Sequence, residues 1–320
     1  MIKSKHYFNW QGRIDAEDAE RGLRWHQVVN NDSAFTTRCS LIGFACDLGV
    51  QANKGRVGAA LGPTAIRSAL ANMAWHASTA LLDKGDIVAQ DRLANAQQDF
   101  ATLLNEALQE SSFVVGLGGG HEIAWASYLG LRQHLDSDSP AKKIGIINFD
   151  AHFDLRVPAP QNSSGTPFWQ IAQHCKQQNH PFHYACLGVS AAANTPALFD
   201  IAKATQTRYL SDMECHEAGA KTLLIPMLQE IDELYVTICL DAFPASIAPG
   251  VSAPSALGIS PQFVINMLHW LAQSQKDLGF NWRLADLAEM NPTFDVNNHT
   301  AKLAARLAFE LVQAKFTSAQ

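Results

Sequence analysis

Residues 143–149 read KIGIINF and run without interruption into Asp150-Ala-His152-Phe-Asp154. A continuous apolar run with no polar alternation suits a strand covered on both faces, as in a parallel sheet between helix layers. Runs of the same kind lie at 40–46 (SLIGFAC), 79–83 (TALLD), 112–117 (SFVVGL), 183–189 (HYACLGV), 207–210 (TRYL), 234–240 (LYVTICL) and 283–288 (RLADLA). Between them, helical patterns fall at 63–73, 97–111, 121–136, 167–179, 219–230, 260–276 and 299–315. This alternation predicts one doubly wound α/β domain built on roughly eight parallel strands. The last helix places apolar residues of TAKLAARLAFELVQAK at helical spacing, with Thr300 as its candidate cap.

Composition narrows the function. The 320 residues are 47% hydrophobic and 17% charged, enough for a large core and too few charges for a disordered chain. Lys plus Arg number 24 against 30 Asp plus Glu, a net charge of −6 with no basic block, which argues against nucleic acid as the main partner. No stretch has the roughly 18 consecutive apolar residues of a membrane span. The opening MIKSKHYFNW lacks an apolar h-region, so no secretory signal is expected. Six cysteines without a CxxC pair fit reduced thiols and a cytoplasmic setting.

Ligands of open parallel sheets bind outside the carboxyl ends of the strands. Three strand ends here stop on metal-ligand residue types: Asp150, His152 and Asp154; Gly118-Gly119-Gly120-His121; and Leu240-Asp241. The first three share one face of an extended chain, but the outer two would then sit about 13 Å apart. One ion cannot take all three unless the chain curls after the strand, or unless two ions sit side by side. The three glycines allow a sharp turn or a close backbone approach before His121. An Asp/His set favours Mn2+, Mg2+ or Fe2+ over structural zinc. Each feature alone has a plainer reading as a turn or cap. Their convergence at three strand ends is what points to a metal.

GGGH at 118–121, NFDAHFDLR at 148–156, SSGTPF at 163–168, LDAFPASIAPGVSAP at 240–254 and AEMNP at 288–292 resemble the ureohydrolase superfamily of arginase and agmatinase. NKGRVGAALGP at 53–63, GGGHE, SSGTPF, APGVSAP and the opening WQGRIDAEDAERGLRWHQ resemble its formimidoylglutamase branch more than arginase. The resemblance implies an arginase-like three-layer α/β/α fold. Residues 1–320 would form a single domain, with 1–38 an N-terminal extension packing on it. It also implies two manganese ions per subunit, held by His121, Asp150, His152, Asp154 and Asp241, with Asp150 bridging. A water between the ions, hydroxide near neutral pH, would attack the amidine carbon of N-formimidoyl-L-glutamate. Asp154 would shuttle the proton to the leaving amine, and Glu289 would bind the amidinium end. A trimer or hexamer is implied in the same way.

Three positions depart from the resemblance. The superfamily's Asp-x-Asp reads Cys239-Leu240-Asp241, placing a thiol where a bridging carboxylate is expected. Ser164 stands where arginases carry a histidine, and Leu257 where an arginine is expected. Arg56, Arg156 and Lys54 remain as cations for the substrate carboxylates, each equally readable as a surface residue. Three functions therefore stay open: formimidoylglutamate hydrolysis, an agmatinase-like or other guanidino-acid hydrolase, and a relative impaired by Cys239. Trp125, Tyr128, Phe168 and Trp169 read as packing residues, and His174, His180 and His183 as surface or structural. The Cys215-His216 pair is a weak metal signal. GLGGGH lacks the dinucleotide GxGxxG pattern, and no serine nucleophile elbow appears.

Overall fold

In the computed structural model, which describes residues 5–31, 35–136 and 141–316, every expected run forms a strand. The strands are β1 (Lys5–His6), β2 (Arg38–Ala45), β3 (Ala80–Val88), β4 (Phe113–Leu117), β5 (Ile144–Phe149), β6 (His183–Val189), β7 (Arg208–Ser211), β8 (Glu233–Cys239) and β9 (Asn281–Ala288). They form one nine-stranded sheet in the order β1-β3-β2-β4-β9-β8-β5-β6-β7, parallel except where β1 pairs antiparallel with β3. The helices are α1 (Trp25–Val28), α2 (Leu48–Ala52), α3 (Gly62–Leu70), α4 (Leu93–Glu110), α5 (Ile123–Leu135), α6 (Pro167–Gln177), α7 (Pro196–Ala204), α8 (Glu217–Leu228), α9 (Pro261–Leu278) and α10 (His299–Phe316). The sequence pattern did not anticipate β1, α1, α2 or α7. The first is a two-residue edge pairing and α1 and α2 are four and five residues, too short to show a period; α7 has only Leu198 and Ala202 buried.

The sheet is buried on both faces, and its two cores show why the strands lack alternation. On one face Phe113, Val115 and Leu117 of β4 join Leu224 of α8, Val264 of α9 and Leu311 of α10. On the other, Val114 of β4 and Tyr235 of β8 meet Phe100 of α4, Ile123 of α5 and Ile171 of α6. Side chains alternate as in any strand, but both sides meet helices, so both sides are apolar.

Strand β3 runs five residues beyond its expected end at 83, because the polar DKGD segment is not a turn. The pairing steps from Leu41↔Asp83 to Gly43↔Asp86, so β3 bulges, and Gly85 takes φ +80°. The fully buried Arg67 guanidinium neutralises the segment: Nε and a terminal nitrogen donate to Asp83 at 2.9 and 2.8 Å, and the other donates to Asp86 at 2.5 Å. The N-terminal residues attach to the same place. Trp10 Nε1 donates to Asp83 at 2.8 Å, and Trp25 lies fully buried at an edge-to-face distance of 5.1 Å from Trp75.

The cap of α10 is not Thr300. Asp295 accepts from the Thr300 and Ala301 amides at 2.9 and 3.1 Å, while the Thr300 hydroxyl accepts from Gly250 N and ties down the 240–254 loop. At α9, Ser260 accepts from Phe263 N, Pro261 takes the first turn, and Gly279 closes the helix at φ +83°.

Candidate metal centre and active site

Four adjacent central strands, β4, β9, β8 and β5, deliver their carboxyl-end residues to one place. His121 follows β4, Glu289 follows β9, Cys239 ends β8 with Asp241 just beyond, and Asp150, His152 and Asp154 follow β5. These residues line a cavity of about 300 Å³ together with Lys54, Arg56, Arg156 and Ser164; Asp150 lies sealed at its base. A larger cavity of about 620 Å³, beside Leu48, Asp91, Arg92 and Gln161, holds no group of metal-ligand side chains among the described residues.

The segment after β5 curls as the spacing required. Asp154 sits in the left-handed region at φ +46°, which swings its carboxylate back so that Oδ2 lies 2.9 Å from His121 Nδ1. Glu289 is likewise left-handed at φ +71°. Such backbone costs on the order of 1 kcal/mol or more for a residue with a β-carbon and clusters at functional sites. The glycine run before His121 works by close approach, not by positive φ. A β-carbon on Gly119 would fall 1.8 Å from Cys46 O, and one on Gly118 would fall 2.4 Å from Leu287 O.

His121 Nδ1 lies 2.9 Å from one oxygen of Asp150 and 2.9 Å from one of Asp154, yet it makes no aligned hydrogen bond to either. Its Nε2 contacts the Thr237 hydroxyl at 3.0 Å. With the ring proton on Nε2, a bare nitrogen lone pair faces two carboxylates in a fully buried place. That arrangement repels itself unless something positive sits between the groups. His152 Nδ1 lies 3.2 Å from Asp241 and 3.5 Å from the second oxygen of Asp150. One Asp241 oxygen and one Glu289 oxygen are buried and unpartnered. In two trios, His121–Asp150–Cys239 and Asp150–His152–Asp241, the ligand atoms lie within 4.8 Å of one another. The donor set therefore fits divalent cations.

With no cation in place, protons on the same groups offset the crowded carboxylates. Burial opposes charge on His121, but Asp150 and Asp154 overcome it and hold its pKa well above the usual value. His152 is raised the same way, against burial, by Asp241 and Asp150. Burial and then Asp150 push Asp154 up to about 6, while burial, Asp241 and Glu122 push Glu289 up to about 8. Burial and then Asp150 and Asp241 raise Cys239 well above an ordinary thiol. Asp150 is the exception: against burial, His121 and His152 hold it well below the usual carboxylate range, and cations entering the site would displace the protons of the others.

The expected substrate residues differ in what they are free to do. Glu289 Oε1 accepts from His121 N at 2.9 Å, which leaves Oε2 for the cavity. Arg56 lines the cavity, but Nε donates to Ser252 O at 3.0 Å, a terminal nitrogen donates to Val251 O at 2.5 Å, and the plane lies 4.0 Å over Phe294. It braces the 251–252 wall. Lys54, left-handed at φ +61°, and Arg156 line the same cavity and form no ion pair among the described residues. Ser164 is anchored by its amide to Gly49 O at 3.0 Å. Leu257 is exposed in a neighbouring hollow beside His152.

Two orienting residues escaped the sequence reading. Thr237 holds His121, and Asn148 donates to Asp150 at 3.1 Å. Each stands two residues before a cavity residue on its strand, hence on the same face. That period was the available signal. Phe168 and Tyr128 pack as expected, with Phe168 edge-on to His121 at 5.5 Å. His183 does have an acidic neighbour, Glu230 at 3.6 Å, but no metal group forms there among the described residues. His216 caps α8 by accepting from Gly219 N at 3.1 Å. All six cysteines are free.

A parallel sheet covered on both faces, with carboxylates and imidazoles gathered at its central strand ends, is the architecture of a metal-dependent α/β hydrolase. The chain belongs to the arginase family, whose model matches residues 37–313. It is 46% identical to a formimidoylglutamase of Ralstonia nicotianae over 95% of this chain and 94% of that one, and 46% identical to one of Vibrio vulnificus over 97% of each. Among solved structures, a Bacillus subtilis arginase is 25% identical, with a TM-score of 0.71 over 86% of this chain and 98% of that one. A Trypanosoma cruzi formiminoglutamase with Mn2+ shares the fold at 23% identity, with a TM-score of 0.77 over 90% and 97%.

Proposed function

We propose that this protein hydrolyses N-formimidoyl-L-glutamate to L-glutamate and formamide. The observation that carries the reading is the likeness to formimidoylglutamases over nearly the whole chain, joined to a cavity in which an anionic base meets a cationic mouth. His121, Asp150, Asp154, His152 and Asp241 would hold two divalent cations, Mn2+ by family resemblance, with Cys239 as a further candidate ligand. Bound there, such cations lower the pKa of water and make hydroxide available near neutral pH.

The chain's own groups do the rest. Glu289 Oε2 pairs with the amidinium and fixes the amidine carbon against the nucleophile. Hydroxide adds to that carbon, and the bond from carbon to the glutamyl nitrogen breaks. Asp154, which lines the cavity beside His121, carries the proton from the incoming water to the departing amine. Arg156 and Lys54 take the glutamyl carboxylates, with Ser164 and Arg56 shaping the wall between them.

The described residues form one arginase-like domain on which the N-terminal residues 5–31 pack; the Trp10–Asp83 bond and buried Trp25 support this. By resemblance it works in the cytoplasm as a homo-trimer or hexamer, and no helix among the described residues is long and apolar enough to cross a membrane. The test is a substrate panel on manganese-loaded protein. Formamide release from formimidoylglutamate supports the reading; urea release from agmatine or a guanidino acid in its place overturns it. Cys239 favours one other reading, a non-catalytic relative, which holds if neither product forms from any amidine or guanidine tested.

A further inference from the structure

The two ligand trios share a single residue, which turns one oxygen to each side. Asp150 Oδ2 faces His121 at 2.9 Å, while Asp150 Oδ1 faces His152 at 3.5 Å. Cys239 completes a trio only with His121 and Asp150, although its thiol also reaches the Asp241 carboxylate. The His121 side has Asp154 and the sulfur of Cys239, which lies within 4.8 Å of the His121 and Asp150 ligand atoms. The His152 side has Asp241 and only nitrogen and oxygen donors. Two observations besides the thiol point to a ligand at the first trio: the buried, unpartnered His121 Nδ1 aimed into it, and the left-handed backbone that brings Asp154 there.

Donor chemistry then separates the two positions. Thiolate is soft and selects Zn2+, Fe2+ or Co2+, whereas carboxylate and imidazole suit Mn2+ and Mg2+ as well. A coordinating thiol loses its proton to the cation's field, so its buried state does not bar it from binding. A sulfur offers one donor atom, where a carboxylate spans two ions with two, and Asp150 alone has an oxygen turned to each side.

We propose that the two positions are chemically unequal: the His121 position is a thiolate site that takes a soft dication through Cys239, and the His152 position is an oxygen-rich site that takes a hard one. This deepens the metal assignment of the proposed function and rests on it.

Anaerobic Co2+ titration of the metal-free protein, followed by absorbance, tests the idea without measuring turnover. Wild type should develop a near-ultraviolet thiolate-to-cobalt charge-transfer band. Cys239→Ser should lose it, and Cys186→Ser, which removes the neighbouring thiol, should keep it. Reconstitution with Mn2+ alone should leave the wild type with about one manganese per chain, whereas Cys239→Asp should accept two. A folded wild type that binds cobalt without the band, a band that persists in Cys239→Ser, or a wild type that takes up as much manganese as Cys239→Asp overturns the proposal. The wild-type spectrum stands even if a variant misfolds. Because no product is assayed, a failure of the hydrolysis reading leaves this result intact.

Discussion

Arg67→Met should unfold the protein far more readily than any surface change. The guanidinium is fully buried and donates three hydrogen bonds to Asp83 and Asp86, whose side chains are about as hidden. Each bond to a charged group contributes about 1.5–3 kcal/mol, but the three share one cation and do not add. Removing it leaves two carboxylates facing one another in the core, a loss that runs to about 3–5 kcal/mol for a broken buried pair. Against a total stability of about 5–15 kcal/mol, that is a fifth or more. The loss should grow with pH. Burial, opposed by Arg67, already holds Asp86 above its usual value, and without the cation it rises further. Its folded pKa then exceeds the unfolded one, so stability is retained at low pH, where it is protonated, and lost as pH rises through the new value. Urea denaturation of wild type and variant at pH 5 and pH 8 measures both effects. A difference under about 1 kcal/mol that is the same at both pH values would refute the reasoning, since it would mean that the carboxylates are solvated on loss of the arginine.

Other measurements probe the cavity and its support. Thr237→Val removes the hydroxyl that orients His121 and should weaken metal binding by roughly 10–100-fold in chelator competition, with little change in folding. Glu289→Gln keeps the acceptor for His121 N but not the charge, and should cut kcat/KM for formimidoylglutamate by roughly 100-fold in a formamide assay. Arg156→Met should raise KM for formimidoylglutamate and leave that for formamidine, which has no carboxylates, unchanged; equal effects on both would remove Arg156 from the substrate site. Lys315, lowered to about 8 by burial and Arg283, is less readily protonated folded than unfolded, so stability should rise between about pH 8 and its ordinary value of 10.5. Thermal midpoints across that range should show the rise in wild type and lack it in Lys315→Met.

The sequence by itself determined the sheet and most of the site's membership. KIGIINF and its counterparts are apolar at every position because both faces of their strands meet helices, and that constraint is written locally in each run. The strand-end positions of His121, Asp150, His152, Asp154 and Asp241 were legible for the same reason: a parallel sheet opens its ligand side at the carboxyl ends. Residues whose meaning depends on a distant partner were not legible. Asp83 and Asp86 looked like a strand end until Arg67, from a helix, neutralised them. Arg56 looked like a substrate cation until it was found bound to Val251 and Ser252 carbonyls nearly two hundred residues away. Only the fold could show Asp150 turning one oxygen to each trio and Cys239 standing with one of them, since that division depends on how β8 and β5 lie side by side. Local pattern is set by whether a side chain meets oil or water. Partnership is set by which chain segments fold against each other, and that is decided in three dimensions.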